Sequence, residues 1–329
     1  MSLLAIKIGL VDIPNTRSSH SHPTPRGGGF GIFAAFLLSA LYSGMPPTVW
    51  IPLSALAILA LLGDYIDFSP GLRLVGQLIL ASAIIISTYQ APQSSVWYWI
   101  VLGFWTIYLV ATANFYNFMD GINGIAGITG IIGFALLAIY LHLNQGLAPL
   151  GIVAISISLA CLGFIPLNLP KARVFMGDVG SILLGGAYGC LVYLASKSPL
   201  DFICMVSFLF PFYADELTTM MVRLREGEKL TQAHRRHLYQ LLANEQSIPH
   251  WKVTLGYALL QLAVGLSVLL VKSRGIVVVL SLLLFYYVLF SITTYCYRKG
   301  NYLRHLFNES NGARRGQVDS ADTYGDIKQ

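Results

Sequence analysis

Residues Val101-Leu-Gly-Phe-Trp-Thr-Ile-Tyr-Leu-Val-Ala-Thr-Ala-Asn-Phe-Tyr-Asn-Phe-Met-Asp-Gly-Ile-Asn-Gly124 pass from an apolar segment straight into three carboxamides and a carboxylate. The first half reads as the end of a membrane-spanning helix. The second half is not what lipid selects, because an Asp at a helix centre costs about 2.5–3.5 kcal/mol on insertion scales and is functional by default. Asn114, Asn117, Asp120 and Asn123 follow at i,i+3 spacing, so on a helix neighbours in the series share a face and can converge on one ligand. Gly121 and Gly124 then loosen the helix. The competing reading is an interfacial loop whose polar groups meet lipid headgroups.

Working outward, 55% of the 329 residues are hydrophobic and only 11% are charged, with a mean hydropathy of +0.65. An ordinary soluble domain is excluded. Apolar runs near the roughly 20 residues that cross a bilayer fall at about 28–43, 48–62, 72–89, 96–113, 125–143, 148–167, 180–196, 200–221, 251–271 and 275–296. The expectation is an all-α polytopic integral membrane protein of about ten transmembrane helices over residues 1–297, followed by a polar cytoplasmic tail at 298–329. Cys161, Cys190, Cys204 and Cys296 lie inside apolar runs without a C-x-x-C pair, which points to packing rather than disulfides or zinc.

Charge sets the orientation. With the segment before the first span in the cytoplasm, only Lys197, Lys272 and Arg274 of the 21 Lys and Arg fall outside, as the positive-inside rule requires. The same parity brings Asp12, Asp64, Asp67, Asp120, Asp178, Glu226 and Glu228 to the cytoplasmic face. Charges gathered at span ends around one surface favour an enzyme over a transporter, which would bury them near the midplane.

Four further stretches carry chemistry. The polar segment before the first span holds Arg17, His20, His22 and Arg26, an anion-binding set or an orientation signal. Asp64 and Asp67 lie between the second and third spans, where Asp67 or Ser69 suits a helix cap better than Asp64. Asp178, flanked by Gly177 and Gly180, suits a magnesium ion together with Asp120, or else caps the next helix with Ser181. His234-Arg-Arg-His237 suits phosphate better than a metal, since two arginines between the histidines repel a cation. Its alternative is a solvated basic loop. Basic residues that line a membrane leave no nucleic-acid surface, and Asp215 and Glu216 in the eighth run require a partner or water.

Val11-Asp-Ile-Pro-Asn with Pro25-Arg-Gly-Gly28, Asn114 to Gly124, Phe175-Met-Gly-Asp-Val-Gly-Ser181 and Ala233-His-Arg-Arg-His237 together resemble the polyprenyl-phosphate N-acetylhexosamine-1-phosphate transferases. Gly227-Glu-Lys-Leu and the histidine stretch through Gln240 look most like the O-antigen branch. Where the family carries paired aspartates this chain has Gly63-Asp64, and where relatives carry a complete span before the Val-Asp-Ile-Pro loop it has about ten residues. The resemblance implies a bacterial inner-membrane enzyme that attacks the β-phosphorus of a UDP-N-acetylhexosamine with undecaprenyl phosphate, releasing UMP. It implies Mg²⁺, or Mn²⁺ in its place, on Asp178 and Asp120, with Asp64 at the lipid phosphate as contact or base. Asn114, Asn117, Asn123, Arg26, His234, Arg235 and His237 would bind substrate. The implied partners are both substrates, the lipid bilayer and a second copy of the chain. The rival readings are a transporter and a non-catalytic binder of nucleotide-sugar or polyprenyl phosphate.

Overall fold

Nine of the ten apolar runs fold as single helices and one is broken. A computed structural model describes residues 11–12, 22–66, 68–146, 148–229 and 234–299, the side chains of Asp64 and Gln145 excepted. Its helices are α1 (Gly29–Tyr42), α2 (Pro47–Ile66), α3 (Pro70–Thr88), α4 (Val96–Phe118), α5 (Ile125–Gln145), α6 (Ala148–Asn168) and α7 (Asp178–Ala195). After α7 come α8 (Pro199–Val206), a 3-10 turn at Ser207–Leu209, α9 (Phe210–Arg225), α10 (His250–Val271) and α11 (Ile276–Lys299). Two short strands, β1 (Val11–Asp12) and β2 (Thr24–Pro25), pair antiparallel ahead of α1. The chain forms one compact unit over Met1–Leu283 and a second over Leu284–Gln329. The described part of the second is the remainder of α11, and the features below lie in the first.

The expected count of ten spans is not confirmed. Among the described residues seven helices, α3 to α7, α10 and α11, are long and apolar enough to cross a membrane, while α1 and the apolar part of α2 (Pro47–Gly63) are shorter. The run at 200–221 breaks because Pro211, with no N–H to give, sits at the start of α9, which then carries Asp215, Glu216 and Arg223. The chain is a multi-pass, all-α membrane protein.

Local sequence explains the helix starts. Ser69 Oγ accepts from Leu72 N at 3.3 Å with Pro70 in the first helical position, and Ser95 Oγ accepts from Trp97 N at 3.3 Å. Ser69 is thus the cap between the second and third spans. Residues 179–193 of α7 are all buried, which makes it the central helix. A Cβ on Gly185 would stand 2.5 Å from the Thr112 carbonyl oxygen, so α4 and α7 touch backbone to backbone there. Outer faces expose Ile79, Trp97, Phe104 and Leu159, an apolar surface suited to acyl chains.

The 18 residues of α7 separate two polar ends by about 27 Å. Beyond its C-terminus Asp201 accepts from Tyr140 Oη at 2.5 Å and Ser198 Oγ at 2.7 Å, with Lys272 Nζ at 3.4 Å. Its N-terminus opens on a larger cluster.

Candidate active site

Asp178 begins α7, where the helix dipole favours a negative charge, and no side chain caps that helix. Asn117 Nδ2, from the last turn of α4, donates to Asp178 Oδ1 at 2.9 Å and to Ser181 Oγ at 2.9 Å. Arg73 Nη1, from the first turn of α3, meets Asp178 Oδ2 at 3.1 Å, while its Nη2 donates to the Gly63 carbonyl at 2.6 Å. Three helices and the end of α2 are thereby tied to one carboxylate. A Cβ on Gly63 would lie 2.8 Å from Arg73 Nε, so the missing side chain is the space that the guanidinium occupies.

The stretch before α1 docks beside this point. Phe175 N donates to the Pro25 carbonyl at 2.8 Å, Gly28 N to the Phe175 carbonyl at 2.9 Å and Gly29 N to the Met176 carbonyl at 3.0 Å. A Cβ on Gly29 would approach the Gly180 backbone to 2.5 Å, so the two helix starts meet only because both residues are glycine. Arg26 Nη2 pairs with Asp12 Oδ1 at 2.9 Å, across the register that sets Asp12 against Thr24. Arg17 and His20 lie outside the described residues.

Helical i,i+3 convergence holds only as far as α4 does. Asn114 Nδ2 donates to Gln77 Oε1 at 2.6 Å and to the Val110 carbonyl at 2.7 Å, one turn from Asn117. Past Phe118 the chain leaves the helix, and Asn123 Nδ2 donates to the Pro170 carbonyl at 3.3 Å while its carbonyl accepts from Thr254 Oγ1 at 3.0 Å. Asn123 therefore braces the loop instead of joining Asn117. Asn168, which is buried, ties the same loop down by accepting from Gly124 N at 2.6 Å.

Asp120 stands in that loop, half-buried beside Asp178. Burial first, then the charge of Asp178, pushes its acid up to about 8. Two carboxylates that repel each other in one site form the donor set that a divalent cation relieves, and Mg²⁺ typically takes one or two carboxylates with water and phosphate oxygens completing its shell. Among the described residues no three His, Cys, Asp or Glu side chains gather into a cage of their own. Among the described residues Asp120 and Asp178 are the pair that could hold an ion. The side chain of Asp64 lies outside the described residues.

The turn that follows the histidine loop reaches the Asp120 loop, where Tyr239 Oη donates to the Phe118 carbonyl at 2.9 Å. His237 is 2% exposed, its Nδ1 3.7 Å from Asp215 Oδ1 and its Nε2 3.4 Å from Glu216 Oε2. Its ring stacks on Tyr239 at 5.7 Å and faces the half-buried His234 ring at 4.9 Å. Burial, with His237 and Arg223 adding to it, lowers the acid of His234 to about 4. Arg235 beside it is half-buried, and Arg236 pairs with Glu226 and, at 2.7 Å, with Glu228. His237 is the member of the pair whose ring stacks on Tyr239, and His234 lies on the other side of His237 with Arg223, Glu228 and Arg236 around it.

Three findings from known proteins bear on this arrangement. The model of glycosyl transferase family 4 matches residues 47–196, which carry Arg73, Asn117, Asp120 and Asp178. The undecaprenyl-phosphate alpha-N-acetylglucosaminyl 1-phosphate transferase of Salmonella typhimurium is 30% identical over 260 residues, covering 73% of this chain and 70% of that protein. The chain belongs to the polyprenyl-phosphate N-acetylglucosamine-1-phosphate transferase family. Within this family, the decaprenyl-phosphate N-acetylglucosaminephosphotransferase of Mycobacterium tuberculosis is 29% identical over 289 residues, covering 73% of this chain and 70% of its own. The phospho-N-acetylmuramoyl-pentapeptide-transferase of Lacticaseibacillus paracasei is 30% identical over 202 residues, 53% of this chain and 62% of that one.

Against the family background, the structure adds Arg73, Gln77 and Tyr239 to the residues singled out from sequence, and supplies the partners of Ser181 and Asp215. Arg73 had a usable signal, a lone cation at the start of an apolar helix. Gln77 had a weaker one, a carboxamide inside that helix. Ser181 closes the Phe175 to Ser181 motif. Asp215 had its charge inside an apolar run as a signal but nothing to name its partners, and Tyr239 had none, since those partners are distant in the chain.

Proposed function

We propose that this protein transfers N-acetylhexosamine-1-phosphate from a UDP-sugar to undecaprenyl phosphate at the cytoplasmic face of a bacterial inner membrane, in the branch that initiates O-antigen or another surface polysaccharide. One observation carries the reading: Asn117 and Arg73 from two other helices orient the Asp178 carboxylate at the start of α7, with Asp120 near enough to feel its charge. Asp178 and Asp120 would hold Mg²⁺, which would supply positive charge to the diphosphate.

The chain's own groups divide the remaining work. The acceptor is a phosphate monoester with a second pKa near 6, so it arrives mostly as a dianion and needs little base catalysis at pH 7. An oxygen of this phosphate attacks the β-phosphorus, the bond to UMP breaks, and UMP leaves with the electron pair. Catalysis is then chiefly positioning and charge compensation. Arg73 brings fixed guanidinium charge to Asp178, and Arg26, paired with Asp12 and bridged through its backbone to Phe175, would bring a second to the substrate. His234, uncharged at pH 7 before substrate arrives, offers a hydrogen bond that gains charge when a diphosphate raises its proton affinity. Asn114 acts through Gln77 and Asn123 through the loop, and Asp64 remains the candidate for the lipid phosphate.

The test is purified full-length protein with undecaprenyl phosphate, Mg²⁺ and a panel of UDP-N-acetylhexosamines. UMP and a diphosphate-linked lipid formed in equal amounts are the expected products, and the preferred sugar identifies the branch. Binding of both substrates without UMP release would make the protein a carrier or a non-catalytic binder.

A further inference from the structure

Asp215 takes no part in the transfer described above, yet it is fully buried and heavily engaged. Its Oδ1 accepts from Leu238 N at 2.9 Å and Thr219 Oγ1 at 3.2 Å, and its Oδ2 from Tyr257 Oη at 2.6 Å and Tyr239 N at 3.3 Å. A buried carboxylate persists only with such compensation. The donors come from α9 itself, from α10 and from the chain just after His237. Leu238 N and Tyr239 N are the first amides of the helical turn Leu238–Gln240, which that turn cannot satisfy internally. His237 and Gln240 form a capping box for this turn, and Asp215 completes the cap from another helix by accepting its first two amides.

What this cap delivers is Tyr239. Tyr239 Oη donates to the Phe118 carbonyl at 2.9 Å, and a Cβ on Gly121 would come within 2.2 Å of that oxygen. Phe118 and Gly121 bracket Asp120. The contacts run without a gap from α9 through Tyr239 to the loop that presents the Asp120 carboxylate.

We propose that Asp215 is a positioning residue of the active site: it caps the turn after His237 and, through Tyr239, fixes residues 118–121 and with them Asp120. The kinetic half of this inference rests on the transferase reading. The positional half does not.

Three variants of the full-length protein in neutral detergent test it, by turnover at saturating substrates and by hydrogen exchange. Asn retains one acceptor oxygen but turns an NH2 donor toward either Leu238 N or Tyr239 N, so Asp215→Asn is expected to turn over at a rate between those of wild type and Asp215→Ala. Asp215→Ala is expected to lose about twentyfold or more, with faster exchange over residues 118–124 and 234–246 and unchanged exchange over 96–110. If Asp215→Ala does not fold, Tyr239→Phe decides. It keeps the ring, loses the bond to Phe118, and is expected to quicken exchange over 118–124 and to lower turnover about threefold or more. Unchanged exchange over 118–124 in the folded variants overturns the proposal, as does an Asp215→Asn protein no better than Asp215→Ala. A wild-type protein that releases no UMP counts against the transferase reading alone, and the exchange pattern still judges Asp215.

Discussion

Asn117 Nδ2 and Asp178 Oδ1 meet at 2.9 Å although 61 residues separate them, and this contact joins the end of α4 to the start of α7. Each residue sits in a motif that sequence alone marks as polar where lipid would prefer carbon. Their bond shows that the two motifs build one site.

Removing the carboxamide measures what that bond supplies. A hydrogen bond to a charged group contributes about 1.5–3 kcal/mol, so Asn117→Ala is expected to lower turnover about tenfold or more with the helices intact. Combining it with Asp178→Asn is expected to add little, because both act on one carboxylate. Steady-state rates of the single and double variants check this, and losses that multiply would separate the two residues.

Gly63 sets the place of Arg73. An added Cβ would lie 2.8 Å from Nε and 3.0 Å from Cζ, so the guanidinium must swing away from Asp178. Gly63→Ala is expected to lower kcat/KM by about three- to tenfold. Gly71→Ala, where an added Cβ meets nothing within 4 Å, is the control and is expected near wild type. Equal rates in both variants would mean that the contact of Arg73 with Asp178 does not matter for transfer.

How much was legible beforehand follows from the range of the forces. Lipid demands long apolar runs, and α3 to α7 appear in the sequence almost as they stand in the fold. The break before α9 stayed hidden because Phe208-Leu-Phe-Pro-Phe212 is apolar throughout, and the interruption lies in one missing N–H at Pro211. The series from Asn114 to Asn123 pointed to the right region but assumed a helix that stops at Phe118. Arg73 and Asp178 are 105 residues apart, and Asp215 finds Tyr257 42 residues on, separations at which periodicity carries no information.

The depressed acid of His234 predicts a pH dependence of stability. Its pKa falls from 6.5 to about 4 on folding, so between these values the unfolded chain binds a proton that the folded one does not. Its contribution is therefore present above pH 6.5 and lost as pH falls toward 4. Because the ring is half-buried, the expected loss is on the order of 1 kcal/mol. Thermal unfolding in detergent is expected to show wild type falling behind His234→Gln at pH 5 and matching its trend above pH 7. Parallel curves over the whole range would place His234 in water.

The account stands on Asp178 as the centre of a phosphosugar transfer, and one measurement reaches it directly. UMP release and lipid-linked product are followed for wild type and Asp178→Asn, with undecaprenyl phosphate and the preferred UDP-sugar, across a range of Mg²⁺ concentrations. The substitution removes one anionic oxygen without adding bulk. Wild type is expected to turn over only with acceptor and Mg²⁺ both present, and Asp178→Asn to lose about a hundredfold or more, a loss that added Mg²⁺ does not restore. An Asp178→Asn protein that keeps the wild-type rate at every Mg²⁺ concentration would contradict the account.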